Sequence, residues 1–478
     1  MSVLDQSFSA KNFEVIFNML NRMGKMKITK MSEDYQKTIT DIKETRDKMR
    51  ILRRKKNIDW TAYEKDDYEL YDEILIELGL KKTDALCANM QKIADEVNRT
   101  GFRFTMSKHI YEAHDEFTID TTNLSADYAI YQLQHNLKKT FKVEMTSRHD
   151  IMLSIKRLLN TKTPLYIIRT DVSSFFESIP QDKLFRKIND NSLLSYKSKS
   201  FIGAIIQDFE KTKDTKKIPK GVGIPRGVGI SSYLSEIYMQ DIDRQIKSRK
   251  EVIFYVRYVD DIFMIMSSIH PNENIEKYYS ELGNIFINNG LNLKNATDTK
   301  CKLIDYVKLK PINCEFEYLG YLIKLFYDTE NKKLNTKYGL SKNKKDKIIA
   351  RIDKAFFHFE NLSKVNVKQA RKDLLDSLRL ITGNVHLHNS KSGVKVGLYY
   401  NNDLLDDIGL KDLHSLTCKL HHKFINVHTN TFLDTIQKEA FVKKLQKRIN
   451  KIDLRTCWEC KKMYNFPVSR ITEIMKWL

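Results

Sequence analysis

The stretch YVRYVDDIFMIM, residues 255–266, sets two adjacent carboxylates, Asp260 and Asp261, between runs of β-branched and aromatic residues. Upstream, LYIIRTDVSSFFESIP is a second β-rich run, and it ends in Asp171. A carboxylate at the end of a buried strand is costly unless it is exposed or used. Three of them in one place repel each other and raise each other's pKa. A divalent cation removes that penalty, and carboxylate and phosphate oxygens are the ligands Mg²⁺ prefers. Two such ions about 3.5–4 Å apart stabilise the attacking and leaving oxygens of an in-line phosphoryl transfer. For the Asp pair taken alone, a tight solvated turn explains the residues equally well, because short motifs have high false-positive rates.

The elements that must position these groups can be read from the pattern. Val252 to Tyr258 and Ile262 to Met266 read as two buried strands, and their join is too short for anything but a hairpin. The run into Asp171 reads as a further strand, ended by Ser173, Ser174 and Pro180. Between them, Leu234, Ile237, Tyr238, Ile242 and Ile246 fall three and four apart, which predicts a helix from Ser232 to about Lys247. Residues 166–323 alternate strand-like and helical runs, an α+β pattern. Residues 1–100 look helical and charged. Beyond about 335 strands become rare, and DKIIARIDKAFFHFENL carries Ile348, Ile352, Phe356 and Phe359 on one stripe. SGVKVGLYYNN, Ser392 to Asn402, is an exception that reads as a strand or hairpin. The expected division is a helical extension over 1–100, a central part over 101–335 and a helical C-terminal part over 336–478.

Composition fits a nucleic-acid partner. The chain has 478 residues and a net charge of +21 with pI ≈ 9.4. So large a charge is costly unless something anionic neutralises it. Nucleic acid comes first and an anionic membrane surface second. No apolar run is long enough to cross a bilayer. The start, MSVLDQSFSAKNFEVIF, lacks the basic and apolar regions of a secretory signal. Six irregularly spaced Cys suggest reduced thiols and a cytoplasmic setting. Gly and Pro are scarce, at 16 and 7, which favours long helices over disordered linkers.

Several motifs resemble those of reverse transcriptases. Tyr258-Val259-Asp260-Asp261 is similar to the family's catalytic Tyr-x-Asp-Asp hairpin, and Asp171-Val-Ser-Ser-Phe-Phe to its first catalytic motif. Gly223-Ile-Pro-Arg-Gly-Val-Gly-Ile-Ser resembles the second motif. Gly290-Leu-Asn-Leu with Lys300 resembles the fourth, and Glu317-Tyr-Leu-Gly-Tyr the strand that leads into the thumb and helps grip the primer. The resemblance implies an RNA-directed DNA polymerase with a right-hand fold: fingers and a palm with an antiparallel sheet, then a mostly helical thumb. Asp171 and Asp260 would be metal ligands, with Asp261 third, holding two Mg²⁺ for which Mn²⁺ can substitute. Val172, Ser173, Ser174 and Phe175 would lie near the triphosphate. Phe176 matches the steric gate that crowds the sugar 2′ position and favours dNTPs. Lys300, with Lys302 as the alternative, would protonate the leaving pyrophosphate. Arg148, Arg226 and Gly227 would contact the nucleotide, and Tyr258, Leu319 and Gly320 the nucleic acid.

One departure stands out. Arg226 occupies the position where the family usually has Gln, which contacts the incoming nucleotide and template. Arginine adds a charge and a different donor geometry, which puts ordinary template handling in doubt. Within the family, GIPRGVGISSYLSEIYM, YVRYVDDI and LITGN…GLYYNN are most similar to bacterial defence-associated and abortive-infection enzymes. That resemblance implies an RNA template that is a noncoding RNA, a DNA product, and a second reverse transcriptase or further copies of the chain as partners. Three alternatives stand beside it. They are template-independent or protein-primed DNA synthesis, a retron or group II intron enzyme, and a non-catalytic RNA-binding protein on the same fold.

Other signals are weaker. Cys457-x-x-Cys460 has zinc-ligand spacing but is half a site, which His421, His422 or His428 could complete only through folding. Two thiols on a helix is the simpler reading. His386 and His388 alternate as on a solvent-facing strand. Arg53-Arg54-Lys55-Lys56 and Lys342 to Lys347 read either as solvated helix faces or as phosphate contacts.

Overall fold

The computed structural model describes residues 4–23, 28–54, 61–111, 114–120, 122–267, 274–306, 313–387, 393–425 and 435–478. Lys55, Lys56, His388, Ser392 and His428 lie outside them. The chain forms two compact units. One comprises Met1–Glu144 with Ser174–Asp241, the other Met145–Ser173 with Ile242–Leu478.

The first unit is mostly helical. Its long helices are Ala10–Arg22, Glu33–Arg54, Ala62–Asn98, Leu124–Thr140 and Tyr196–Thr212. The charged helix Ala62–Asn98 starts on a reciprocal capping box between Thr61 and Glu64, which satisfies backbone donors that the first turn leaves free. Its core is aromatic, with Phe13 against Tyr128 and Phe104 against Phe201. A small antiparallel ribbon, β1 (Met106–Ile110) and β2 (Asp115–Ile119), completes the unit.

The second unit is built on a four-stranded antiparallel sheet in the order β4-β5-β3-β6. Its strands are β3 (Leu165–Asp171), β4 (Val252–Tyr258), β5 (Asp261–Ser267) and β6 (Lys302–Asp305). β3 is buried along its whole length, as its run of branched apolar residues requires. The predicted hairpin is present, with β5 starting one residue earlier than expected. A three-stranded antiparallel meander follows: β7 (Asn313–Tyr318), β8 (Tyr321–Asp328) and β9 (Lys333–Leu340). Phe263 of β5 packs on Phe316 and Tyr318 of β7, so both sheets share one core.

Helices dominate the remainder of this unit. Lys342–Ser363 buries Ile352, Phe356 and Phe359 of the predicted stripe, half-buries Ile348, its fourth residue, and leaves Phe357 exposed. Helix Val367–Thr382 packs beside it, and Asp373 and Asp376 there accept ion pairs from Arg470 at 2.6 and 2.9 Å. The strands β10 (Asn384–His386), β11 (Lys395–Gly397) and β12 (Met463–Tyr464) have three residues or fewer. The expected strand within SGVKVGLYYNN is therefore β11, followed by turns. Helix Ser231–Lys247, which belongs to the first unit as far as Asp241, starts one residue before the predicted position, and all five residues of its predicted apolar face are buried. Among the described residues no helix is long and apolar enough to cross a membrane.

Candidate active site

Backbone register brings the acidic residues together. Asp171, the last residue of β3, is the direct partner of Asp261, the first of β5. Tyr258 and Asp261 close the β4–β5 hairpin over the two-residue loop Val259-Asp260. The Val172 N–H donates to the Asp260 carbonyl at 3.0 Å. The chain leaving β3 is held from its other side as well. Val172 bridges Leu293, Ser173 N–H donates to Asn292 O at 2.8 Å, and Lys294 N–H donates to Asp171 O at 3.0 Å. These bonds join the segments that carry the first motif, the Tyr-x-Asp-Asp hairpin and the fourth motif within one unit.

The loop itself is strained. Val259 has φ of 59°, a left-handed conformation that a β-branched side chain adopts at a cost. Arg257 holds it there. Its guanidinium donates to Val259 O at 2.7 Å and to Asp243 at 2.8 and 3.1 Å, while Tyr255 donates to the same carboxylate at 2.8 Å.

Two cations balance the carboxylates. Lys300 Nζ lies 3.0 Å from Asp171 Oδ2. Burial alone would lower the Lys300 pKa, but the hydrogen bond and charge of Asp171 outweigh it and hold Lys300 above its ordinary value. Arg169, buried on β3, donates to Asp261 Oδ1 at 2.6 Å and also to the Lys300 carbonyl. The Asp261 pKa is pushed up to about 6, chiefly by burial; Arg169 opposes this, and Asp171 and Asp260 add to it.

Asp171 Oδ1 is buried with no hydrogen-bond partner. Among the described residues, no three His, Cys, Asp or Glu side chains form a ready metal cage. Mg²⁺ seldom uses one; it is held by one or two carboxylates with substrate phosphates and waters. The all-oxygen donor set and the orphaned Asp171 Oδ1 fit such an ion, with Lys300 and Arg169 taking the carboxylate charge otherwise.

The Tyr318-Leu319-Gly320-Tyr321 turn belongs to the same unit. Leu319 and Gly320 both have positive φ, at 44° and 79°, as a two-residue type I′ hairpin requires. Tyr318 Oη is 3.5 Å from the Asp261 carbonyl. Arg148 lies at this turn. Its guanidinium is 5.7 Å from the Tyr321 ring, and a Cβ on Gly320 would stand 3.2 Å from its Nη2. Lys344 covers the same ring at 4.8 Å and donates to Asn401 and Asn402. Burial, with Arg148 nearby, brings the Lys344 pKa down to about 7.

The remaining predicted nucleotide contacts lie in the first unit. Ser174 is left-handed, at φ 45°, and precedes the short helix Phe175–Ser178 without a side-chain capping bond. Phe175 is buried and Phe176 half-buried. The segment after Phe176 is laced to the loop before Arg226: Ile224 N–H donates to Phe176 O and Gly223 N–H to Ile179 O, each at 2.8 Å. Arg226 forms a two-pronged ion pair with Glu177 at 2.8 and 3.1 Å, and its guanidinium lies 5.1 Å from the Phe176 ring. Gly227 has φ of 96°, and a Cβ there would stand 2.7 Å from Phe117 O, so the close approach requires glycine.

Sequence reasoning missed Arg169, Arg257, Asp243 and Glu177. A signal existed for Arg169: a charge two residues before Asp171 shares its strand face. Lys302, the alternative lysine, is the exposed first residue of β6, whereas Lys300 is the one bonded to Asp171. Cys457 is buried and Cys460 exposed, and His421 is engaged with the Ile452 carbonyl.

Comparison with known proteins bears on this geometry. Residues 129–323 match the model of the reverse transcriptase (RNA-dependent DNA polymerase) family. The matched stretch contains Asp171, Asp260, Asp261 and Lys300, and it is similar to an RNA-dependent DNA polymerase domain, a nucleotidyltransferase. Among solved structures, apo telomerase of Candida tropicalis is similar at 12% identity and a TM-score of 0.36, over 78% of this chain and 65% of that one. Telomerase of Candida albicans with a fragment of telomeric RNA is similar at 11% identity and a TM-score of 0.33, over 82% and 73%. This chain thus spans less than two thirds of the Candida tropicalis protein, and at such scores the likeness carries no argument. ATP synthase subunit delta of Mycoplasma mobile is 28% identical over 170 residues, 34% of this chain and 83% of that protein. That likeness defines no family for the chain.

Proposed function

We propose that the chain is a reverse transcriptase that copies RNA into DNA by two-metal nucleotidyl transfer. The observation that carries this reading is the pairing of Asp171 with Asp261, next to the Asp260 turn, inside the stretch that matches the family model. On this reading the division is an N-terminal extension over 1–100, fingers and palm over 101–335 and thumb over 336–478.

Asp171 and Asp260 would hold the metal ions, with Asp261 third; Mg²⁺ is the expected metal and Mn²⁺ a substitute. Bound there, the metals supply activation of the attacking oxygen and charge neutralisation at the phosphate. Lys300, kept protonated by Asp171, is suited to give its proton to the departing pyrophosphate oxygen. Arg169 keeps Asp261 in place, and Arg257 holds the strained turn that presents Asp260. Phe176 is the gate against the ribose 2′-hydroxyl. Val172, Ser173, Ser174, Phe175, Gly227, Arg226 and Arg148 form the nucleotide-side set. Tyr258, Leu319 and Gly320 form the nucleic-acid side.

The motif phrases favour a bacterial antiphage role in the cytoplasm, with a noncoding RNA as template and a second reverse transcriptase or further copies of the chain as partners. A second reading, DNA synthesis without an RNA template or from a protein primer, is favoured by Arg226. Its guanidinium pairs with Glu177 and offers a planar donor fork in place of the usual glutamine amide.

The test is to purify the chain with its bound nucleic acid, add Mg²⁺ and dNTPs, and sequence the product. DNA complementary to a co-purified RNA supports templated synthesis. A homopolymer or short repeat matching no RNA supports the second reading instead.

A further inference from the structure

We infer that Arg226 and Glu177 form a clamp that sets how strictly Phe176 excludes ribonucleotides. This rests on Phe176 being the sugar gate. It assigns Arg226 a positioning role, exerted through the Phe176 ring, beside its place in the nucleotide-side set.

A steric gate works only as far as its ring refuses to move. Phe176 is half-buried, and its packing partner is Phe175, tilted at 57° with centroids 5.5 Å apart. Arg226 covers the ring with its guanidinium at 5.1 Å. That position is fixed from two directions. Glu177, the next residue after Phe176, takes Nε and Nη2 in a fork at 2.8 and 3.1 Å. The Arg226 backbone carbonyl accepts from Phe117 N–H at 2.7 Å, so β2 holds the main chain.

A deeper layer supports the loop. Gln181 donates to Gly223 O at 2.8 Å and to Glu210 at 2.6 Å. The buried Lys213 donates to Glu210 and to the carbonyls of Pro219 and Val222 at 2.7 Å. Every contact named here lies within one compact unit. The arrangement explains a charged residue at position 226. A neutral amide there would leave Glu177 without a counter-charge and the ring without its cation; the guanidinium supplies both and leaves the pair neutral. Lysine could keep the charge but not the planar fork and stack.

The experiment measures kcat/KM for a dNTP and its matching rNTP on an RNA template with an annealed DNA primer. It compares the wild-type chain, Glu177→Gln, Arg226→Gln, Arg226→Lys, the charge swap Glu177→Arg with Arg226→Glu, and Phe176→Ala. A cation–aromatic contact and ion pair of this exposure predict that Glu177→Gln and Arg226→Gln each lower dNTP-over-rNTP discrimination by about 3- to 10-fold. The change should lie mainly in the rNTP KM. Arg226→Lys should fall between them and the wild type, and the swap should recover part of the discrimination. Thermal melts identify any variant that fails to fold, and the lysine and swap variants then carry the test. Wild-type discrimination in the folded Glu177 and Arg226 variants, with Phe176→Ala relaxed, overturns the clamp and leaves the gate standing. Wild-type discrimination in Phe176→Ala removes the gate itself. No dNTP incorporation by the wild-type chain removes the polymerase reading.

Discussion

Asp171 and Asp261 stand directly opposite each other across β3 and β5, each with one oxygen held by a cation of the chain. Two facing carboxylates would otherwise repel. Lys300 and Arg169 make the arrangement stable, and they do so differently. Lys300 is more than half exposed and can be displaced; Arg169 is buried and cannot.

Arg169 is therefore expected to be structural as well as electrostatic. Arg169→Met should cost about 3 kcal/mol in urea unfolding, because it strips the partner from a largely buried carboxylate. Adding Asp261→Asn should recover stability. If the single substitution leaves the unfolding midpoint where it was, the ion pair is not holding Asp261.

Lys300 is expected to act in the chemical step. Lys300→Gln should lower kcat about 100-fold with a smaller effect on the dNTP KM. Lys302→Gln should stay near wild type, since that side chain is exposed on β6. The reverse ranking in single-turnover assays would move the proton donor to Lys302.

Val259 stores strain at the turn that carries Asp260. Val259→Gly should relieve the left-handed backbone and raise stability by about 0.5–1 kcal/mol after the entropic cost of glycine. The freed turn should present Asp260 less well and slow incorporation. A lower unfolding midpoint for this variant would show that the turn is not strained.

Lys344 gives a pH signature. Its folded pKa of about 7 lies below the unfolded value of roughly 10.4. Between those values the unfolded chain binds more protons, so stability rises with pH across that interval and the penalty is greatest below it. The groups bearing on it are Arg148, which depresses the pKa, and Asp403, which opposes. Urea midpoints measured from pH 6 to pH 10 should rise in the wild type and flatten in Lys344→Met. Parallel curves for the two would remove Lys344 as the source.

The elements at the site were legible because their signals are local. Branched apolar runs marked β3, β4 and β5, and helical spacing marked Ser231–Lys247, to within a residue. The groups that set the site's electrostatics were not legible, because each finds its partner far along the chain. Arg169 and Asp261 are 92 residues apart, Glu177 and Arg226 are 49, and Lys300 and Asp171 are 129. Periodicity carries no information at such distances; only strand register and loop packing create those pairs. The motif resemblance picked out Asp171, Asp260 and Lys300, but it could not show that Arg226 pairs with the carboxylate of Glu177, the residue after Phe176.

The most direct test replaces Asp260 with Ala in the full chain and follows Mg²⁺-dependent incorporation of labelled dNTPs on an RNA template, with melts confirming the fold. The account predicts that the wild type incorporates and that Asp260→Ala does not, at any Mg²⁺ concentration. Incorporation by a pure, folded Asp260→Ala protein at the wild-type rate would contradict the assignment of the reaction to this carboxylate site.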